Sequence, residues 1–148
     1  MTTMDDKPLA GRVALVTGAG RNIGRAIALA FADAGAAVAV NVRASRTDGQ
    51  AVVDEIVARK GEALLVPADV TQRPAVNAMV DAIAQRFGRL DIVVNNAAIR
   101  REVAFAELSF ADWREAQAVC VEALFIACRR RSRCCARAPR ARSSILAA

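Results

Sequence analysis

The chain has 148 residues, of which 55% are hydrophobic, and this is enough for one domain with a buried core. It has no uncharged apolar run of 18 residues, and residues 1–8 are polar and acidic, so we expect a cytoplasmic protein without a membrane span or signal peptide. The net charge of +6 does not indicate a nucleic-acid partner, because seven arginines and no acid lie in residues 129–148, leaving −1 for residues 1–128.

Strands and helices are predicted to alternate along the chain. Unbroken apolar runs, typical of parallel strands covered on both faces, predict strands over 13–16, 36–42, 63–66 and 91–94. Helical periodicity predicts helices over 22–34, 48–60, 71–87 and 110 to about 129. This alternation predicts an α/β fold, a Rossmann-type doubly wound parallel sheet. By analogy its strand order is 3-2-1-4, truncated after about four strands.

The first strand runs into a glycine-bearing turn and then a helix. Gly18, Gly20 and Gly24 allow a tight turn and close approach to a phosphate, and the helix start offers unpaired N–H groups. The spacing G-x-G-x-x-x-G departs from the common dinucleotide fingerprint at Ile23. A helix entry without a ligand is the alternative interpretation of this turn alone.

Residues 17–24, Thr-Gly-Ala-Gly-Arg-Asn-Ile-Gly, resemble the Thr-Gly-x-x-x-Gly-x-Gly turn of the short-chain dehydrogenases/reductases, particularly the 3-oxoacyl-[acyl-carrier-protein] reductase-like members. Asn22 stands at the middle glycine, and Asn enters the left-handed region at modest cost. The resemblance implies an NAD(P)(H)-dependent oxidoreductase that transfers hydride between a carbonyl and an alcohol. It also implies cofactor contacts from six residues of the turn: Gly18, Gly20, Arg21, Asn22, Ile23 and Gly24.

The end of the second strand favours NADP(H) over NAD(H). NAD-binding versions place an acid about 20 residues after the glycines, and Val42 occupies that place here. Arg43 follows directly and Arg21 lies in the turn, so a 2′-phosphate would meet cations and no carboxylate. The alternative is that Arg43 and Arg46 are solvated loop residues. Asp48 is interpreted as a helix cap rather than as a substitute acid.

Two later segments also resemble cofactor contacts of the family. Asp69 and Val70, after the third strand, resemble its adenine-contacting pair, although an ordinary turn would use the same residue types. Residues 95–98, Asn-Asn-Ala-Ala, resemble its Asn-Asn-Ala-Gly segment at the end of the fourth strand. The resemblance implies a structural role for the first Asn and a place beside the cofactor ribose for the second. The cofactor contacts expected from this segment are Asn96, Ala97 and Ala98.

The sequence offers no catalytic residues for the expected reaction. Family members use a Ser, a Tyr and a Lys four residues after the Tyr, whereas this chain has no Tyr and only Lys7 and Lys60. Cys120 stands where the family has a catalytic Asn. The 148-residue chain is therefore expected to be the dinucleotide-binding half of such an enzyme and inactive by itself. The alternative is a non-catalytic NADP(H)-binding module.

No metal site is expected. The four cysteines, Cys120, Cys128, Cys134 and Cys135, form no C-x-x-C pair, and the chain has no His to complete a common zinc site. Unpaired thiols are therefore the expectation.

The composition changes abruptly after Cys128. We divide the chain into an incomplete cofactor-binding domain, 1–128, and an Arg- and Cys-rich tail, 129–148, that is degraded or read in a shifted frame. A nucleic-acid interface in this tail is disfavoured because no aromatic residue interleaves its arginines.

A sheet ending at its fourth strand would have an unpaired edge, so we expect marginal stability and association. Orderly homo-oligomers, usual in the family, are doubtful for this chain.

Overall fold

The computed structural model describes residues 7–99, 102–134 and 144–147. Five strands form one sheet in the order β3-β2-β1-β4-β5, and every neighbouring pair is parallel. The strands are β1 Val13–Val16, β2 Ala37–Val40, β3 Ala63–Leu65, β4 Ile92–Asn95 and β5 Ser144–Ala147. The predicted doubly wound α/β fold and its 3-2-1-4 order are confirmed for the first four strands.

The outer edge of β4 is not unpaired, so this part of the sequence-based prediction is wrong. Residues 144–147 lie along β4 in parallel register, with Leu146 opposite Val94. The short run Ser-Ile-Leu-Ala, which follows the last arginine, supplies the ladder partner. A strand this short gives little signal by itself, because its stabilisation comes from the strand beside it.

Helices cover both faces of the sheet. They are α1 Asn22–Asp33, α2 Arg46–Ala58, α3 Arg73–Phe87, α4 Phe110–Gln117 and α5 Ala123–Cys134. A short 3₁₀ helix, Phe105–Glu107, precedes α4, and a π-helical segment, Ala118–Glu122, joins α4 to α5. Among the described residues, no helix combines the length and apolar character that crossing a bilayer requires.

Two buried clusters hold the layers together, one on each face. Leu15 of β1 and Val93 of β4 pack with α3 and α5, whereas Val16 and Val94, the next residues along, pack with α1 and α2. Successive side chains of a strand point to opposite faces, so both faces of these strands are buried. This explains the unbroken apolar runs in the sequence.

The structure changes the buried face predicted for α1. The helical periodicity of residues 22–34 places Ile23, Ile27, Phe31 and Ala34 on one apolar face, but the buried residues include Gly24, Ala28 and Ala32, and Ile23 is 68% exposed. Small side chains allow the axis of α1 to approach the sheet closely. The larger residues Ile27 and Phe31 lie partly buried at the edge of that contact.

The starts and continuity of three other helices also differ from the prediction. α2 begins at Arg46 with Ser45 as its N-cap, so Asp48 lies inside the first turn and does not cap the helix. α3 begins at Arg73, two residues later than predicted. The helix predicted over 110–129 exists, but the π segment interrupts it, and α5 continues beyond residue 128 to Cys134.

Candidate functional site

A cleft of about 570 Å³ opens at the carboxyl ends of the strands, where β1 and β4 lie side by side. The chain leaves β1 towards β2 and returns through β4 on the other side, so this is the point where the strand order reverses. All twelve predicted cofactor contacts line the cleft: Gly18, Gly20, Arg21, Asn22, Ile23, Gly24, Arg43, Asp69, Val70, Asn96, Ala97 and Ala98. Their contact with a cofactor stays a prediction.

The glycine turn packs closely against the start of α1. Gly18 has φ +63° and Asn22 has φ +50°, so Asn22 adopts the left-handed conformation anticipated for it. A Cβ atom on Gly24 would lie 2.3 Å from the carbonyl oxygen of Gly18. The start of α1 therefore touches the turn backbone directly, and the turn requires glycine at position 24.

Among the described residues, no side chain caps the start of α1. Arg21, its N-cap, has an extended backbone and makes no capping hydrogen bond, and the first turn contains no acid. The starts of α2 and α3 also lack a side-chain cap, whereas at α4 the hydroxyl of Ser109 accepts a hydrogen bond from the Asp112 N–H. The first N–H groups of a helix have no acceptor inside it. At α1 they lie beside the cleft together with the positive end of the helix dipole.

Thr17 joins the two strands that border the cleft. Its hydroxyl oxygen accepts hydrogen bonds from the backbone N–H groups of Asn96 (3.1 Å) and Ala97 (3.0 Å). Its hydroxyl proton has two acceptors, the Val94 carbonyl and Asn95 Oδ1, each 3.3 Å away. The buried side chain of Thr17 thus fixes the backbone of residues 96–97 against the glycine turn.

The two consecutive asparagines after β4 donate in different directions. Asn95 Nδ2 donates to the carbonyl of Cys120 in the π segment at 2.6 Å. Asn96 Nδ2 donates to the carbonyls of Thr17 (3.0 Å) and Gly18 (3.2 Å). The side-chain amide of Asn96 therefore supports the turn as well as lining the cleft.

Asp69 is held at the cleft by its neighbour Thr71. The Thr71 hydroxyl and backbone N–H donate to Asp69 Oδ1 at 2.7 Å and 2.9 Å. These hydrogen bonds, with a smaller contribution from the positive charge of Arg43, lower the pKa of Asp69 below its ordinary value against the opposing effect of burial. An ionised Asp69 accepts hydrogen bonds and donates none.

The charge balance of the cleft differs from the one expected. The sequence suggested that a 2′-phosphate would meet no carboxylate, but Asp48 lines the cleft and its Oδ2 lies 3.9 Å from Arg21 Nε. The helix-cap interpretation of Asp48 caused this error, because α2 starts two residues before it. Arg43 is exposed at the cleft, whereas Arg46 does not line it.

Asn41 is a supporting residue that the sequence interpretation missed. Its buried side-chain amide donates to the backbone carbonyls of Val66 (2.9 Å) and Ala68 (3.1 Å). Its backbone carbonyl accepts from the Ala19 N–H (2.9 Å). A polar residue inside the apolar run 36–42 was the available signal, because a buried amide is costly unless it is hydrogen-bonded. Asn41 thereby ties the glycine turn to the segment that carries Asp69.

A family model described as short chain dehydrogenase matches residues 12–143. The chain belongs to this family. A curated short-chain relative, the 3-oxoacyl-[acyl-carrier-protein] reductase of Synechocystis sp., is 43% identical over 106 residues, which are 72% of this chain and 43% of the relative.

Solved structures of other short-chain dehydrogenases share the fold. A dehydrogenase/reductase from Sinorhizobium meliloti 1021 has a TM-score of 0.82 and 39% identity, covering 86% of this chain and 51% of its own. A short chain dehydrogenase from Burkholderia cenocepacia J2315, in complex with NADP, has a TM-score of 0.80 and 40% identity, with coverages of 85% and 51%. The chain thus spans about half the length of these relatives.

Proposed function

We propose that this chain is the dinucleotide-binding half of an NAD(P)(H)-dependent oxidoreductase of the short-chain dehydrogenase family, with NADP(H) as the favoured cofactor. The observation that carries the proposal is the uncapped start of α1, which adjoins a glycine turn and lines the cleft. N–H groups without acceptors and the positive dipole end suit a pyrophosphate. The substrate class is a carbonyl compound or the corresponding alcohol.

The residues of the cleft fit a dinucleotide in three respects. Gly18 and Gly24 line the cleft and carry no side chain there, so the backbone of the turn is open to a phosphate on that side. The ionised Asp69 can accept a hydrogen bond from an exocyclic amine. The backbone at Asn96 and Ala97 is fixed by Thr17 and forms the opposite wall. When bound, the nicotinamide supplies or accepts the hydride, and these residues hold and orient it.

The preference for NADP(H) rests on cations at the cleft. Arg21 and Arg43 both line it and are both exposed, and Val42 stands where NAD-binding relatives have an acid. The Burkholderia cenocepacia relative, whose structure contains NADP, supports the same assignment. Arginine suits a phosphate because it donates two hydrogen bonds in parallel.

The test is a titration of the chain with NADPH and NADH by calorimetry. We expect tighter binding of NADPH, and we expect Arg43→Asp to reverse the preference by about 1–3 kcal/mol, since a charge-assisted bond is lost and a repulsion gained. Arg46→Asp is the matched control, because it makes the same charge change three residues further on, outside the cleft. Equal affinities of the wild-type chain for the two cofactors would contradict the preference, and no binding of either would contradict the proposal.

A further inference from the structure

An acid and a cation face each other across the part of the cleft between the glycine turn and the start of α2. Asp48 Oδ2 lies 3.9 Å from Arg21 Nε, and the two side chains are 43% and 73% exposed. We propose that Asp48 is a positioning residue that determines cofactor specificity by holding Arg21 and opposing a 2′-phosphate. This inference rests on the proposed function, because it concerns the same cleft.

The position of Asp48 is set by close packing of α2 against the turn. A Cβ atom on Gly20 would lie 3.3 Å from Asp48 Cβ, and one on Gly49 would lie 2.6 Å from Leu65 Cδ1. Gly49 is buried and lets the first turn of α2 lie against β2 and β3. Asp48 is thereby brought over Gly20, where its carboxylate reaches the guanidinium of the next residue, Arg21.

Asp48 also lies in the first turn of α2, where its negative charge interacts favourably with the helix dipole and stabilises the helix. That role alone would make Asp48 a helix-stabilising residue with no effect on cofactor choice. The two roles differ in what they affect. The dipole contribution changes the unfolding free energy, whereas the contact with Arg21 changes the ratio of two binding constants.

The charges give the direction of the specificity effect. A phosphate monoester carries a charge of about −1.5 to −2 at neutral pH. A phosphate bound to Arg21 would share that cation with the Asp48 carboxylate and be repelled by it. The 2′-hydroxyl of NADH has no charge, and a carboxylate can accept its hydrogen bond. Asp48 therefore weakens NADPH relative to NADH and keeps the preference for NADPH below what the two arginines would give alone.

The experiment measures dissociation constants of the full chain for NADPH and NADH by calorimetry, at low salt and in 1 M KCl. For Asp48→Asn we expect the affinity ratio to move towards NADPH by about fivefold at low salt, since two exposed charges at this distance interact by about 1 kcal/mol. The shift should shrink in 1 M KCl, because the screening length there is about 3 Å. A helix-stabilising role alone would produce no shift of the ratio at either salt concentration.

Four further variants control the interpretation. Asp54→Asn, on the same helix but outside the cleft, makes the same charge change and should leave the ratio within about twofold of wild type. Asp48→Glu should retain the wild-type ratio, and Asp48→Ser should repeat the shift if Asp48→Asn folds poorly. In an Arg21→Gln background, Asp48→Asn should have a smaller effect, because the partner is already absent.

The outcomes separate this inference from the proposed function. A wild-type chain that binds NADPH, with an unchanged ratio in both Asp48→Asn and Asp48→Ser, would overturn the role of Asp48 and leave the proposed function standing. An equal shift in Asp54→Asn would also overturn it, since net charge would then be the cause. A wild-type chain that binds neither cofactor would overturn both.

Discussion

At the scale of single residues, the hydroxyl of Thr17 joins the two strands that border the cleft. One hydroxyl accepts from two backbone N–H groups of the segment after β4 and has its own acceptors on β4. The Asn96 and Ala97 N–H groups are partly buried, so leaving them without an acceptor costs less than the about 1–3 kcal/mol that each fully buried group would cost. The cost of losing Thr17 therefore comes partly from the groups that it leaves unpaired.

We expect Thr17→Val, which keeps the shape and removes the hydroxyl, to lower the unfolding free energy by about 1–3 kcal/mol. The same variant should weaken NADPH binding, because residues 96–97 are no longer fixed against the turn. Urea unfolding and calorimetry measure the two effects. Thr47→Val, an exposed threonine in the first turn of α2, is the control and should change neither by much. A fully stable Thr17→Val would show that other contacts hold this wall.

Asp91 has a similar joining role at the amino ends of the strands, just before β4. Its buried carboxylate accepts from the Val13 N–H (2.9 Å), Arg12 (3.3 Å) and Arg89 (2.6 and 2.8 Å). Burial raises the pKa of Asp91, but the hydrogen bonds from Arg89 and Val13 outweigh it, so the pKa lies below its ordinary value. This carboxylate ties the amino end of β1 to that of β4.

The lowered pKa of Asp91 predicts how stability depends on pH. The folded chain binds the proton less readily than the unfolded one, so the contribution of Asp91 is fully present above about pH 4 and falls as the pH decreases through the folded pKa. Asp91→Asn should cost about 2 kcal/mol at pH 7 and flatten the pH dependence of unfolding below pH 4. Urea unfolding at several pH values measures both, with Asp54→Asn as the control. An unchanged slope in Asp91→Asn would assign the acid sensitivity to other carboxylates.

At the scale of elements, the π segment decides which side of the last helices faces the core. An i→i+5 turn inserts an extra residue, so the apolar face is not continuous from α4 to α5. An uninterrupted helix over 110–129 would place Trp113 and Cys120 near the same face as Val119 and Ala127. In the structure Val119, Ala123 and Ala127 are buried, whereas Trp113 and Cys120 are exposed. The hydrogen bond from Asn95 to the Cys120 carbonyl holds the segment against the end of β4.

Large apolar side chains are exposed on or near α4 and α5, namely Phe105, Phe110, Trp113, Val121 and Phe125. We still expect association, but for this reason and not because of an unpaired edge at β4. Sedimentation velocity over a range of concentrations should show heavier species, and Phe125→Ser should reduce them. Val57→Ser is the matched control, since Val57 is also about half exposed but lies on α2. A single monomer boundary at every concentration would contradict this prediction.

At the scale of the whole molecule, the fold separates the cleft from the only two lysines in the sequence. Lys60 immediately follows α2 near the amino end of β3, and the side chain of Lys7 lies beside Gly35, which precedes β2. Both positions are at the amino ends of the strands, whereas the cleft is at their carboxyl ends. The topology therefore makes neither lysine a partner for chemistry in the cleft.

We expect the 148-residue chain to bind NADPH without reducing carbonyl compounds. Reduction needs a proton donor at the substrate oxygen, a contribution of typically 10²–10⁴-fold, and the chain has no Tyr to supply it. The assay follows NADPH absorbance with a panel of ketones and activated carbonyls, after calorimetry has established binding. Cys120→Ala controls for the exposed thiol. Reproducible turnover by the wild-type chain would contradict this expectation and favour the enzyme over the non-catalytic module.

The sequence alone determined the features that depend on local pattern. The apolar runs identified the first four strands, and Gly18, Asn22 and Gly24 identified the turn, because strand burial and left-handed backbone are constraints on single positions. Alternation of strands and helices then led to the order 3-2-1-4 and to a cleft lined by all twelve predicted residues.

The tertiary structure decided the features that depend on which elements meet. Pairing of β5 with β4, the burial of Ala28 and Ala32 in place of Ile23, and the meeting of Asp48 with Arg21 follow from contacts between segments distant in sequence. A single-sequence pattern carries no information about such partners, since a short strand or one carboxylate looks the same whether or not another element lies beside it. Periodicity determines what an element must bury, and the packing of helices on the sheet decides which of its residues do so.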